Sequence, residues 1–82
     1  MDKEKEEVKI KGVYRHYNGD YYIVEGIGIN SETLEKMVIY RALYGDNEVW
    51  IRPYSMFLEE VEGKCQKHRF ELQDIKSKRK ED

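Results

Sequence analysis

A mostly β domain is what this chain predicts, and three features carry the prediction. Short runs rich in Val, Ile and Tyr recur along it, the residue types that suit a pleated, half-buried surface. Turn signals separate them: Asn18-Gly19-Asp20, Tyr44-Gly45-Asp46-Asn47 and Glu62-Gly63-Lys64. The single proline, Pro53, stands where one of these runs stops. With 82 residues the chain is one domain. A domain of that size buries only about 60% of the surface its unfolded chain exposes, so its core is thin. Any site is therefore expected in a surface groove or a shallow pocket.

The elements follow in order. Gly12–Tyr17 is a first strand, and Asn18-Gly19 is a strong short hairpin signal. Tyr21–Ile29 is a second strand. Its Gly26 and Gly28 share one face, which predicts a bend, a bulge or a close backbone approach. Residues 30–33 make a turn or one helical turn, since no capping box is completed. Glu35–Leu43 is a third strand. Glu48–Arg52 is a fourth, with Val49 and Ile51 on one face and Trp50 and Arg52 on the other. Pro53 ends it, and Pro53–Phe57 is a 3₁₀ turn with Met56 and Phe57 tucked into the core. Leu58–Val61 and Lys67–Leu72 read as two closing strands.

This order resembles an SH3-like barrel: several short strands, a proline-led helical turn, then a short closing strand. The expected fold is a small SH3-like barrel or a strongly curled antiparallel sheet with one short helical turn. An open sheet with a helix over 31–37 is the rival. The folded part is expected over 8–72. Residues 1–7 and 73–82 are dominated by charge and read as tails. The basic cluster Lys76, Lys78, Arg79 and Lys80 is interrupted by acids and reads as solubilising.

Composition narrows the function classes. Charged residues make up 39% of the chain, yet the net charge is only −2. That mixed surface disfavours nucleic acid as the partner, because such binders usually carry a basic excess. The single cysteine, Cys65, allows no internal disulfide and no cysteine zinc site. No secretory h-region is seen at the start, and no apolar run could span a membrane. The expectation is a cytoplasmic protein that works without a membrane.

Four segments stand out together: YRHYNG at 14–19, SETLE at 31–35, VIYRALYGD at 38–46 and WIRPYSMFLEEV at 50–61. In this order and spacing the chain resembles the bacterial domain-of-unknown-function family sixteen-fifty-three, over about Gly12 to Leu72. Arg69-Phe70 match the family's ending. This chain has Ile29-Asn30 where many relatives have Arg-His, Arg41 where Gln is frequent, and His68 where a Pro is usual. The resemblance implies a stand-alone cytoplasmic domain or an appendage of a longer chain, with no assigned activity.

Three sets of residues are candidates for chemistry. The first is a polar constellation of His16, Glu32, Thr33, Glu35, Arg41 and Arg52. An Arg fork there holds a carboxylate or phosphate bidentately, or else the group is a structural ion-pair network. The second is aromatic. Seven tyrosines and one tryptophan are many for this length; Tyr14, Tyr17, Tyr44 and Trp50 are expected to remain exposed for stacking. The third is His16 with Glu32 or Glu35, the one acid–base pair in prospect. No phosphate loop, nucleophile motif, metal-ligand spacing or cofactor motif is present.

The leading expectation is a non-catalytic binding module. It presents His16, Glu32, Thr33, Arg41, Trp50, Arg52, Tyr14 and Tyr44 to an anionic small molecule, a peptide or a partner protein. An RNA- or ribosome-associated SH3-like barrel and a small enzyme using His16 with a carboxylate are the alternatives. The protein is expected as a monomer or a weak homodimer.

Overall fold

The computed structural model describes residues 7–74, so the sequence-based tails lie, for residues 1–6 and 75–82, outside the described residues. Five strands form one antiparallel sheet: β1 (Val13–His16), β2 (Tyr21–Ile29), β3 (Lys36–Ala42), β4 (Val49–Pro53) and β5 (Phe70–Leu72). Their order across the sheet is β4-β3-β2-β1-β5. A single α-helical turn, α1 (Tyr54–Phe57), separates β4 from β5. The sheet is curled but does not close, and β4 and β5 are its two edges.

Local chemistry accounts for each turn. Between β1 and β2, the His16 carbonyl accepts from the Gly19 amide and the His16 amide donates to the Asp20 carbonyl. Gly19 takes φ +104°, a conformation that costs glycine little. Between β2 and β3, Asn30 organises the turn: its Oδ1 accepts from the Glu32 and Thr33 amides. The turn expected over 30–33 is present, and the helix over 31–37 of the rival reading is not, because the side chain of Asn30 satisfies those amides in a turn and Leu34 adopts φ 63°. Between β3 and β4, Asn47 sits at φ 55° and its side-chain amide donates to the Ala42 carbonyl.

The expected kink at Gly26 is present as a β-bulge: the pairing of β2 with β3 shifts between Val24 and Gly26. Two expectations change. Leu58–Val61 is not a strand, and only one bridge, Glu60 to His68, joins it to the returning chain. Its local partner is 67–69, through Arg69 N to Glu59 O and Val61 N to Lys67 O, so it folds on itself and reaches no sheet edge. Met56 is exposed while Phe57 is fully buried. In a one-turn helix, neighbouring positions diverge by about 100°, so only one of the two can face the sheet.

The core lies on one face of the sheet. Tyr14, Tyr22, Val24, Val38, Tyr40, Ala42, Phe57 and Phe70 are its buried members. Cross-strand pairs explain the set, because Tyr14 opposes Tyr22, Tyr22 opposes Ala42, and Val24 opposes Tyr40. α1 covers this face and delivers Phe57, whose ring stacks on Phe70 at 4.1 Å with an interplanar angle of 5°. Tyr14 and Tyr40 pack edge-on against Phe57 at 5.3 and 5.2 Å. Truncating Phe57 to Ala should cost about 3–5 kcal/mol in urea unfolding, whereas Met56→Ala should stay within ~0.5 kcal/mol. Equal losses for the two variants would contradict this packing.

Candidate functional site

Cross-strand register decides which polar side chains meet. Trp50 opposes Tyr40 and Arg52 opposes Val38, so both lie on the core face. His16 opposes Phe70 and joins them there. The curl of the sheet then brings β4 and β1 over one ring. Phe70 has the His16 imidazole edge-on at 4.8 Å and the Arg52 guanidinium 5.8 Å from its centroid. Phe57 stacks parallel on the same ring at 4.1 Å.

Around this floor the groups have distinct partners. Arg52 Nε donates to the Tyr40 hydroxyl at 3.4 Å, and no carboxylate pairs with Arg52 among the described residues. Arg69 pairs with Glu59 at 3.0 Å, and its Nε is buried with no hydrogen-bond partner. Tyr17 lies under both Arg69, at 5.9 Å, and Lys64, at 4.9 Å, and its ring sits 4.2 Å from that of His16. The result is a cationic rim on an aromatic floor, a setting in which an anion is favoured. On the β4 side, Trp50 and Tyr44 are nearly half exposed and, with Ala42, Gly45, Asp46 and Glu48, line a shallow cleft of about 220 Å³. A larger depression of about 510 Å³ lies at the β5 edge, lined by Glu7, Lys9, Tyr14, Lys67, His68, Glu71 and Leu72. It contains neither Arg52 nor His16, and its lining mixes both charges with little convergence.

The electrostatics of His16 follow from this setting. Burial, above all, lowers its pKa below 6.5, and the positive charges of Arg69 and Arg52 add to the effect. Its Nδ1 accepts from the Asn18 amide at 3.1 Å, so in the neutral ring the proton sits on Nε2. The Tyr22 hydroxyl shares a hydrogen bond with Tyr44 at 2.7 Å, and burial pushes its pKa up. The Tyr22 hydroxyl therefore stays protonated.

The residues expected at the site separate into three places. His16, Trp50 and Arg52 share the core face, with Tyr44 at the adjoining loop. Tyr14 shares that face too but is only 2% exposed, so it is a core residue and not an open contact. Its position opposite both Tyr22 and Leu72 places it mid-sheet, beneath the layer that α1 covers. Arg41 opposes Ile23 and Val49 and therefore points to the outer face. There its Nε donates to Glu25 at 2.9 Å and its Nη1 to the Asn47 carbonyl at 3.0 Å. Arg41, more than Lys11, lowers the pKa of Glu25.

Glu32, Thr33 and Glu35 lie beyond the far end of β2 from His16, roughly 25–30 Å away along an extended nine-residue strand. Thr33 Oγ1 accepts from the Glu35 amide and so serves its own turn. Neither Glu32 nor Glu35 orients the His16 imidazole. Arg69 and Glu59 are the residues that sequence reasoning left out of the site. The signals for them were the Arg69-Phe70 pair at the end of the family pattern and, for Glu59, its place in the segment at 50–61.

The fold and this face define a small, single-sheet β domain with an aromatic, cation-rimmed surface. The chain belongs to the family described as Protein of unknown function (DUF1653), whose model matches residues 12–72. It is similar to the crystal structure of a protein of the same family from Bordetella bronchiseptica, with 30% identity and a TM-score of 0.71, over 84% of this chain and 92% of that one. No curated protein matches it. No helix among the described residues is long and apolar enough to cross a membrane.

A histidine whose folded pKa lies below its unfolded value favours the folded state in its neutral form. That stability is fully present above pH ~6.5 and declines as pH falls from there toward the lowered folded value. An NMR titration should place His16 below 6.5. Arg52→Gln should raise it only in part, because burial is the larger cause; a His16 midpoint at or above 6.5 in the unaltered protein would contradict this environment.

Proposed function

We propose that this domain is a non-catalytic binding module that holds an anionic group on Arg52. The supporting observation is the Arg52 guanidinium, half-buried over Phe70 and without a carboxylate partner among the described residues. A cation kept in that setting leaves donor capacity unused, and a carboxylate or phosphate uses it best. His16, neutral at physiological pH with Nε2–H as donor, and the positive charge of Arg69 over the Tyr17 ring add to the same side. Trp50 and Tyr44 offer half-exposed rings for the apolar or planar part of the bound molecule. The reading favours a small anionic molecule with a ring over a long nucleic-acid strand, since the whole chain carries a net charge of −2.

The full chain titrated with inorganic phosphate, a mononucleotide and an acidic peptide, followed by NMR, tests this. The mononucleotide should shift the Trp50 indole and the Arg52 Nε resonances. Arg52→Gln should weaken it by roughly ten- to a hundredfold, the loss of a charged hydrogen bond worth about 1.5–3 kcal/mol. Resonances at Trp50 and Arg52 that stay still at millimolar probe would remove the proposal. Affinity restricted to oligonucleotides, with a steep loss on adding salt, would assign the face to a phosphate backbone instead.

A further inference from the structure

The two sheet edges are not alike. β5 has three residues with Glu71 at its centre, a short and charged edge that resists pairing. β4 has five, Val49-Trp50-Ile51-Arg52-Pro53, with no lysine and no bulge, and its only proline is the last residue. Val49 and Ile51 are 47% and 64% exposed on its outer face.

The ladder with β3 shows which backbone groups of β4 are free. The Ala42 amide donates to the Glu48 carbonyl, so Ala42 and Glu48 form a hydrogen-bonded pair. Pairs alternate along an antiparallel ladder, so Trp50 with Tyr40 and Arg52 with Val38 are also of this type. The amides and carbonyls of Val49 and Ile51 therefore point away from β3, to the open edge. Pro53 shares their direction but has no amide to offer.

The geometry points to a second copy of this chain as the occupant of that edge, paired antiparallel to β4 about Trp50. In that register Val49 faces Ile51 of the second copy, and their outward amides and carbonyls form reciprocal hydrogen bonds on both sides of the two-fold axis. The side chains match as well. Val49 and Ile51 cover each other on the outer face, and the two Trp50 rings meet on the core face. Glu48 faces Arg52 of the second copy, and Arg52 faces Glu48 of the second copy. Neither Glu48 nor Arg52 takes an ion pair within the chain among the described residues. Residues 48–52 are thus self-complementary in backbone, apolar surface and charge when laid against themselves. The association is weak, since two five-residue edges bury little area.

This inference goes beyond the anion-binding reading, with which it shares Arg52 and Trp50. The anion needs Arg52 and not Glu48; the paired edges need both. Sedimentation velocity of the full chain, from micromolar to millimolar, should show a shift from one chain mass to two. Glu48→Arg and Arg52→Glu should each weaken association by on the order of tenfold, because like charges then oppose across the axis, and the double exchange should restore it. Ile51→Lys, on the outer face away from the cleft that Trp50 lines, should also weaken association and should leave the mononucleotide response of Trp50 in place. Amide hydrogen exchange on the unaltered protein gives a second readout that needs no variant. Val49 and Ile51 should gain protection as concentration rises, while Trp50 is protected throughout. A monomer at every concentration, or a double exchange no better than the single ones, would overturn the paired edge. Val49 and Ile51 amides indifferent to concentration would overturn it too.

Discussion

The stacking of Phe57 on Phe70 is the contact on which the rest of the molecule depends. Each residue belongs to an element too short to persist alone. α1 has four residues and β5 three, and an isolated helical turn is well below the length that sustains itself in water. Each is held by the other, with their rings 4.1 Å apart and nearly parallel. Through Phe70 the last strand is kept on β1, and through Phe57 the helical turn is kept over the sheet. The segment between them is then constrained at both ends, and this carries Glu59, Lys64 and Arg69 to the side where His16 lies.

The choice of tyrosine for so much of this thin core follows from the same geometry. A small sheet has little interior, so a buried ring soon reaches the periphery, where a hydroxyl can find a partner. Tyr14 receives the Lys9 amide and Tyr54 the Val8 amide, which ties the incoming chain to the core. Tyr40 receives Arg52 and Tyr22 bonds to Tyr44, which ties β4 and the 43–48 loop to it. The polar rim of the candidate site is thus the outer end of the hydrophobic core. The face that stabilises the domain and the face proposed to bind are one face at different depths.

Much of the fold was legible because it is local. The bounds of β2, the bulge beside Gly26 and the alternation of β4 all come from period-two patterning and from glycine's conformational freedom. Over 58–61 strand propensity does not tell whether an edge is within reach, and there the chain pairs with 67–69 instead. The site was legible in part. Trp50 and Arg52 were placed on one face by alternation alone. Arg41 looked equivalent to Arg52 until register set it opposite Ile23 and Val49, beside Glu25. Glu32 and Thr33 looked like neighbours of His16 only while the length of β2 was not laid between them.

The mostly β fold, the places of most strands and turns, and the family can all be read along the chain, because these properties rest on sequence neighbours. Tertiary structure alone decided which charges lack partners and which rings stay open. Those properties arise when the curl of the sheet brings β1 and β4, three strands apart in its order, over a common Phe70. A side chain's partner across a sheet is set by register and curvature, and neither is written in the residues of one strand.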